Sequence, residues 1–182
     1  MKDKFLKAAA ITPDIRVGDT DFNTENIIKA MNEAHKLDVK LAVFPELVIS
    51  GYTCNDLFLQ DILLKGSLDG LKKIIKASEN LDMVTIVGLP FLNNFKLYNV
   101  AAVVFNGTLL GLVHIPNYSE FYEARHFAVG PKEVSYIDIP ELGYELEDSG
   151  SFVSFGANLL FKAKNLPELV IGIDICEDLW MP

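Results

Sequence analysis

The sequence is poor in cysteine, histidine and tryptophan, with two, three and one of these among its 182 residues. Two thiols, Cys54 and Cys176, cannot build a disulfide framework, and with so few histidines they show no zinc-ligand spacing, so no metal centre is expected. Positive charge is also scarce. Sixteen Lys and Arg stand against 25 Asp and Glu, for a net charge of −9, and the basic residues nowhere gather into a patch. Nucleic acid and anionic membrane are therefore not expected as partners. The apolar run in the opening MKDKFLKAAAITPDIRVGD is broken too soon by Pro13, Asp14 and Arg16 for a signal peptide or a membrane span. A cytoplasmic location is expected. No Gly-rich phosphate loop of the GxxxxGK[ST] kind occurs, so neither ATP nor NAD is expected to bind.

What is present is an apolar half, 50% of the residues, enough for one globular domain spanning residues 1–182 with a real core. Residues 5–12 (FLKAAAIT) and 39–45 (VKLAVFP) read as short buried strands. Between them Ile27, Ile28, Met31 and Ala34 recur at helical spacing, with Asp21, Asn23 or Thr24 as candidate caps, which makes a β-α-β unit. A second helical stripe, Leu57, Leu64, Leu68, Leu71, Ile74 and Ile75, carries Gly66 and Gly70 as candidate break points and precedes a strand at 83–90. LYNVAAVVF (97–105) and TLLGLVHI (108–115) flank Asn106-Gly107, the strongest short hairpin signal, so this part of the sheet is expected to be antiparallel. Residues 116–161 show no clear period and read as a long excursion with short elements. ELVIGIDI (168–175) reads as a buried strand running into Cys176. The class is α/β, with mixed sheets and helices packed outside. Because only CEDLWMP follows the last strand, the domain is expected to be incomplete at its C-terminus.

Ligand sites in open α/β sheets gather beyond the carboxyl ends of strands. Glu46, in FPELVISGYT, and Cys176, in GIDICEDLW, follow strands in this way. Together they have the chemistry of a nucleophile and its general base. Taken alone, Glu46 is more often a solvated or capping carboxylate, and Cys176 a buried inert thiol. Cys54, in a loop with no base or cation beside it, reads as structural.

The segments FPELVISGYTCNDLF, VGLP, LYNVAAVVFNGTLLG, IPNYSEFYEARHF and GIDICEDLW occur in an order that resembles the successive blocks of the glutaminase domain of glutamine-dependent NAD synthetases, a branch of the carbon-nitrogen hydrolases. The opening AAITPDIRVGDTDFNTENI is similar to the first strand and helix of that family. The resemblance implies a nitrilase-like α-β-β-α sandwich with the synthetase domain absent. It implies Cys176 as nucleophile, Glu46 as base, and Tyr118 and Glu177 in the pocket that holds glutamine. Glu120 is a further candidate there, though a solvated loop acid is as good a reading of it. Arg125 either pairs with one of these acids or covers surface. ATP and Mg would belong to the synthetase domain, and a homo-oligomer is expected.

One departure stands out. The family's third catalytic group is a lysine just before the Pro-Asn-Tyr block, yet here GTLLGLVHIPNY runs from Val113 through His114 straight to Ile115 and Pro116. Lys96 and Lys132 lie outside the block, and His114 is near but not at the matching position. Attack on an amide builds an oxyanion, and losing one preorganised donor to it costs about 3 kcal/mol. Carboxylates around a thiol also disfavour its thiolate. The chain is thus expected to be a poor glutaminase. A stand-alone amidase or nitrilase, or an inactive scaffold, is the alternative.

Overall fold

The opening strand, helix and strand form the expected parallel unit. In this computed structural model, which describes residues 5–116, 122–142 and 152–179 with backbone alone at Tyr122, Glu123 and Glu177, β1 (Ala8–Ala10) pairs in parallel with β2 (Leu41–Val43) across α1 (Thr20–Lys36). The helix starts earlier than expected because its cap is Asp19, whose side chain accepts from the Phe22 N–H at 3.1 Å. Asp21, Asn23 and Thr24 lie inside the helix instead. Asn23 is buried and donates from Nδ2 to the carbonyls of Arg16 at 2.8 Å and Ile49 at 3.0 Å, tying two loops to α1.

α2 (Asp61–Ala77) follows a 3-10 turn, Asn55–Leu59, that takes Leu57 out of the helical stripe. Gly66 and Gly70 do not split it. They are where α1 crosses: a Cβ at Gly66 would lie 2.5 Å from Thr20 Oγ1, and one at Gly70 the same distance from Thr24 Oγ1. Small residues at a crossing let two helices approach closely, which a one-sequence reading of glycine as a breaker misses.

β3 (Val84–Asn93), β4 (Lys96–Phe105), β5 (Thr108–His114), β6 (Ser135–Asp138) and β7 (Phe152–Phe155) complete a seven-stranded sheet in the order β1-β2-β3-β4-β5-β7-β6. The first three strands are parallel and β3, β4 and β5 antiparallel, and of these pairings β1 with β2 and the β4–β5 hairpin were expected. Phe105 pairs with Thr108 across Asn106 and Gly107, whose φ values of 46° and 77° are those of a tight hairpin turn. An irregularity follows in β5. Val104 opposes Leu109 while Val103 opposes Gly111, so Leu110 is the extra residue of a bulge.

Alternate residues of these strands feed two cores. Val87, Leu89, Val100 and Leu112 pack with Ile27, Met31, Leu71 and Ile74 of the helices. On the other face Ile86, Ala101, Val103 and Val113 pack with Phe161, Ile171 and Ile173. Phe161 and Ile171 belong to a small second sheet, β8 (Phe161–Lys162) against β9 (Val170–Ile171), and Ile173 follows β9. The run 168–175 is therefore not the fully buried strand of the main sheet that was expected. Its alternation explains why: Ile171, Ile173 and Ile175 turn inward, whereas Val170, Gly172 and Asp174 are exposed. The described residues thus form a helix layer, a large mixed sheet and a second small sheet, and no described helix is long and apolar enough to cross a membrane.

The crossing generates a prediction. Gly70→Ala gains about 1 kcal/mol of helix propensity, but its Cβ would also meet Ile49 Cγ2 at 3.0 Å. Overpacking of this kind costs about 1–3 kcal/mol. Denaturant unfolding is expected to show a net loss, and a more stable variant would mean that the helices separate freely.

Candidate active site

Glu46 leaves β2 through a turn that runs onto the main sheet. The Phe44 N–H donates to the Ile86 carbonyl at 2.9 Å and the Ile49 N–H to that of Gly88 at 3.2 Å, so the turn is strapped to β3. Gly88 makes the contact possible. A Cβ there would lie 2.3 Å from the Leu47 nitrogen and 2.8 Å from Glu46 Cα. Leu47 holds a left-handed φ of 51°, uncommon for a residue with a side chain, and is 1% exposed in a second apolar cluster with Phe58, Leu63 and Phe127. Its neighbour Glu46 is half-buried and accepts a short hydrogen bond from Asn99 Nδ2 of β4.

Cys176 arrives from the other side. It follows the β9 strand, starts the 3-10 turn Cys176–Leu179, and also has a left-handed φ, of 52°. Asp178 closes that turn, accepting from the Ile175 N–H at 3.2 Å. Conformations of this kind cost about 1–3 kcal/mol and gather at functional sites. Here one belongs to the candidate nucleophile and one to the residue after the candidate base.

The two candidates meet. Glu46, Asn99, Asp174 and Cys176 line one cavity of about 120 Å³, walled by Phe44, Val100 and Ile175. That is below the usual size of a whole ligand site and fits the reacting end of a substrate. Cys176 is exposed, whereas Cys54 is buried, with its thiol donating to the carbonyls of Ser50 at 3.2 Å and Gly51 at 3.3 Å. Burial pushes the Cys54 thiol above its ordinary pKa. Tyr118 and Glu120 lie outside the described residues, as does the side chain of Glu177. Arg125 pairs with Asp56 at 3.3 Å, at the surface.

No Lys, Arg or His is among the described residues that line the cavity. Of the segments outside the described residues, 117–121, 143–151 and 180–182 contain none either, whereas 1–4 contain Lys2 and Lys4. His114 is not a substitute. It is 1% exposed, packs against Phe155 and Tyr98, and its Nδ1 sits 3.1 Å from the Ile115 carbonyl. Desolvation holds its pKa below the ordinary value, so it is neutral at neutral pH. A larger open groove of about 770 Å³, beside α2, is lined by Lys72, Lys73 and Lys76, of which Lys73 pairs with Asp21 at 2.6 Å and Lys76 with Glu79 at 2.9 Å, while Lys72 donates to the Glu141 carbonyl at 3.3 Å. It has no thiol.

Asn99 and Gly88 went unremarked in the sequence. A lone polar residue inside the apolar run LYNVAAVVF was the available signal for the first, whereas the second needs the fold. Two measurements follow. Iodoacetamide is expected to label Cys176 and spare Cys54, and peptide mapping that found Cys54 preferred would reverse the ranking of the thiols. The depressed pKa of His114 means that its folded environment resists protonation, so its contribution to stability is present above the usual histidine range and lost as pH falls through and below that range. Denaturation midpoints should drop over that interval, and less so in His114→Gln.

Residues 7–182 match the family model described as carbon-nitrogen hydrolase. Over 181 residues the chain is 38% identical to a glutamine-dependent NAD(+) synthetase of Mycobacterium tuberculosis, covering 98% of this chain and 25% of that protein. The corresponding protein of Aquifex aeolicus is 35% identical over 91% of this chain and 24% of its own length. The crystal structure of a glutamine-dependent NAD(+) synthetase from Cytophaga hutchinsonii superposes with a TM-score of 0.80 at 27% identity, over 95% of this chain and 28% of that one. The chain thus spans about a quarter of the length of the relatives it matches. Its nitrilase-like α/β fold agrees with the expectation from sequence, and the chain belongs to the carbon-nitrogen hydrolase family.

Proposed function

We propose that this chain hydrolyses the side-chain amide of glutamine through a γ-glutamyl thioester on Cys176. In a longer protein the ammonia would serve an ATP- and Mg-dependent synthetase domain that amidates the deamido precursor of NAD. The observation that carries this reading is the meeting of Glu46 and Cys176 at one cavity, in a chain similar over nearly its whole length to glutamine-dependent NAD synthetases.

Each step uses groups at that cavity. Glu46 takes the thiol proton as the sulfur bonds to the amide carbon and the carbonyl becomes an oxyanion. Collapse breaks the C–N bond, and Glu46 returns the proton to the departing ammonia. Water then gives a proton to Glu46 and attacks the thioester; the C–S bond breaks and the thiolate recovers the proton as glutamate leaves. Tyr118, Glu177 and Glu120 are assigned to holding glutamine, whose α-ammonium calls for a carboxylate. The same reading expects a cytoplasmic homo-oligomer.

The absence of a cation from the described lining bears on rate. An oxyanion deprived of one donor is about 3 kcal/mol less stable, roughly a hundredfold in rate. This favours a slow enzyme, and it also supports a second reading in which the fold serves as a scaffold without turnover. Ammonia release from glutamine, from other primary amides and from nitriles separates the readings. The chain should release ammonia slowly, Cys176→Ala and Glu46→Gln should release none, and a Pro-Lys segment inserted between Val113 and His114 should accelerate release. Turnover at roughly 1 per second or faster that Cys176→Ala abolishes would show that the lysine is dispensable. No release even from the insertion variant would leave the scaffold, and a preference for another amide the stand-alone amidase.

A further inference from the structure

Asn99 is the one carboxamide of the largely apolar β4, is 1% exposed, and lines the same cavity as Glu46 and Cys176. Its position is fixed from two sides. It stands opposite Pro90 in the β3 register, and its Nδ2 donates to Glu46 Oε1. An ionised carboxylate only accepts, so the amide must turn its nitrogen to Glu46. Oδ1 then remains, and this buried oxygen has no hydrogen-bond partner among the described residues. A buried acceptor left unmade is costly, and folded proteins seldom retain one without a use for it.

A primary carboxamide brings what this oxygen lacks. It carries two N–H donors on the nitrogen that must leave, whereas an ester or a nitrile carries none at that position. We propose that Asn99 is the receptor for the scissile nitrogen of a primary amide: Oδ1 accepts one of its N–H groups while Nδ2 holds Glu46 in place to return the proton to the same nitrogen. Asn99 thus positions the base and selects the substrate class with the two ends of one side chain. After C–N cleavage the same Oδ1 accepts from ammonia, so the interaction persists through the step. The inference rests on Cys176 as nucleophile and Glu46 as base.

The test needs no turnover. Cys176 is alkylated with iodoacetamide, a primary amide, and with methyl iodoacetate, its ester counterpart. Each rate is divided by that of the same reagent with free N-acetylcysteine, and labelling is read at Cys176 by peptide mapping. The unmodified chain is expected to prefer the amide by about 3- to 10-fold, the range of one added hydrogen bond. Asn99→Leu should bring the ratio to about 1. Asn99→Asp keeps an acceptor and loses the donor, so it should retain the preference and move the pH profile of alkylation upward, because a second carboxylate beside Glu46 favours protonation of the pair. Circular dichroism and thermal unfolding establish that each variant is folded. A ratio near 1 in the unmodified chain, or a folded Asn99→Leu that still prefers the amide, overturns the proposal. Where Asn99→Leu does not fold, an unshifted profile in Asn99→Asp does so. Glu46→Gln separates the two assignments: an unchanged pH profile in that variant removes the base, whatever Asn99 does.

Discussion

The site depends on the close approach of one backbone to another. The turn after β2 lies on β3 so tightly that only a glycine at position 88 leaves room for the Leu47 nitrogen and the Glu46 Cα. That approach forces Leu47 into a left-handed conformation, at about 1–3 kcal/mol. Burying its side chain returns about as much, roughly 1.5–3 kcal/mol, in the cluster with Phe58 and Phe127. The parallel pairing of β2 with β3 supplies the platform, and Asn23 ties the far end of the turn to α1 through the Ile49 carbonyl. Glu46 is thus placed by groups that have no part in proton transfer.

The thiol is placed by different means. Cys176 does not share a sheet with Glu46. It reaches the cavity on the β8–β9 layer, held down by Ile171, Ile173 and Ile175 on the apolar face that β3, β4 and β5 present. The proposed base and nucleophile are therefore carried by separate layers and joined by packing across them. Asn99 sits at the junction, donating to the carboxylate from the sheet and lining the space below the thiol.

Much of this architecture was legible in the sequence, and what was not has physical reasons. The Asn106-Gly107 hairpin and the first β-α-β unit announced themselves because turn chemistry and hydrophobic period are local signals. Glu46 and Cys176 were legible because both follow apolar runs. Gly66 and Gly70 were misread as weak points, since a helix crossing depends on Thr20 and Thr24 some 46 residues away in the chain. Asp19 was passed over as cap in favour of residues inside α1, the usual uncertainty of helix ends. The run before Cys176 reads as a buried strand because its isoleucines outweigh Gly172 and Asp174, although their alternation spells a one-sided strand. Left-handed φ at Leu47 and Cys176 has no sequence signature at all.

The charge at the cavity has a consequence for which step suffers. Glu46 and Asp174 bring carboxyl groups, Asn99 an amide and Cys176 a thiol, and no Lys, Arg or His is among the described lining. An oxyanion forms both when the thiol attacks the amide and when water attacks the thioester, so both barriers rise for want of the same donor. They do not rise to the same effect. An amide is the poorer electrophile and must also be handed a proton at nitrogen, whereas a thioester releases a good leaving group. On the proposed mechanism, acylation is therefore the slower step. In that proposed step the carboxylate, Asn99 and the scissile nitrogen would act together, so the rate would depend on those groups.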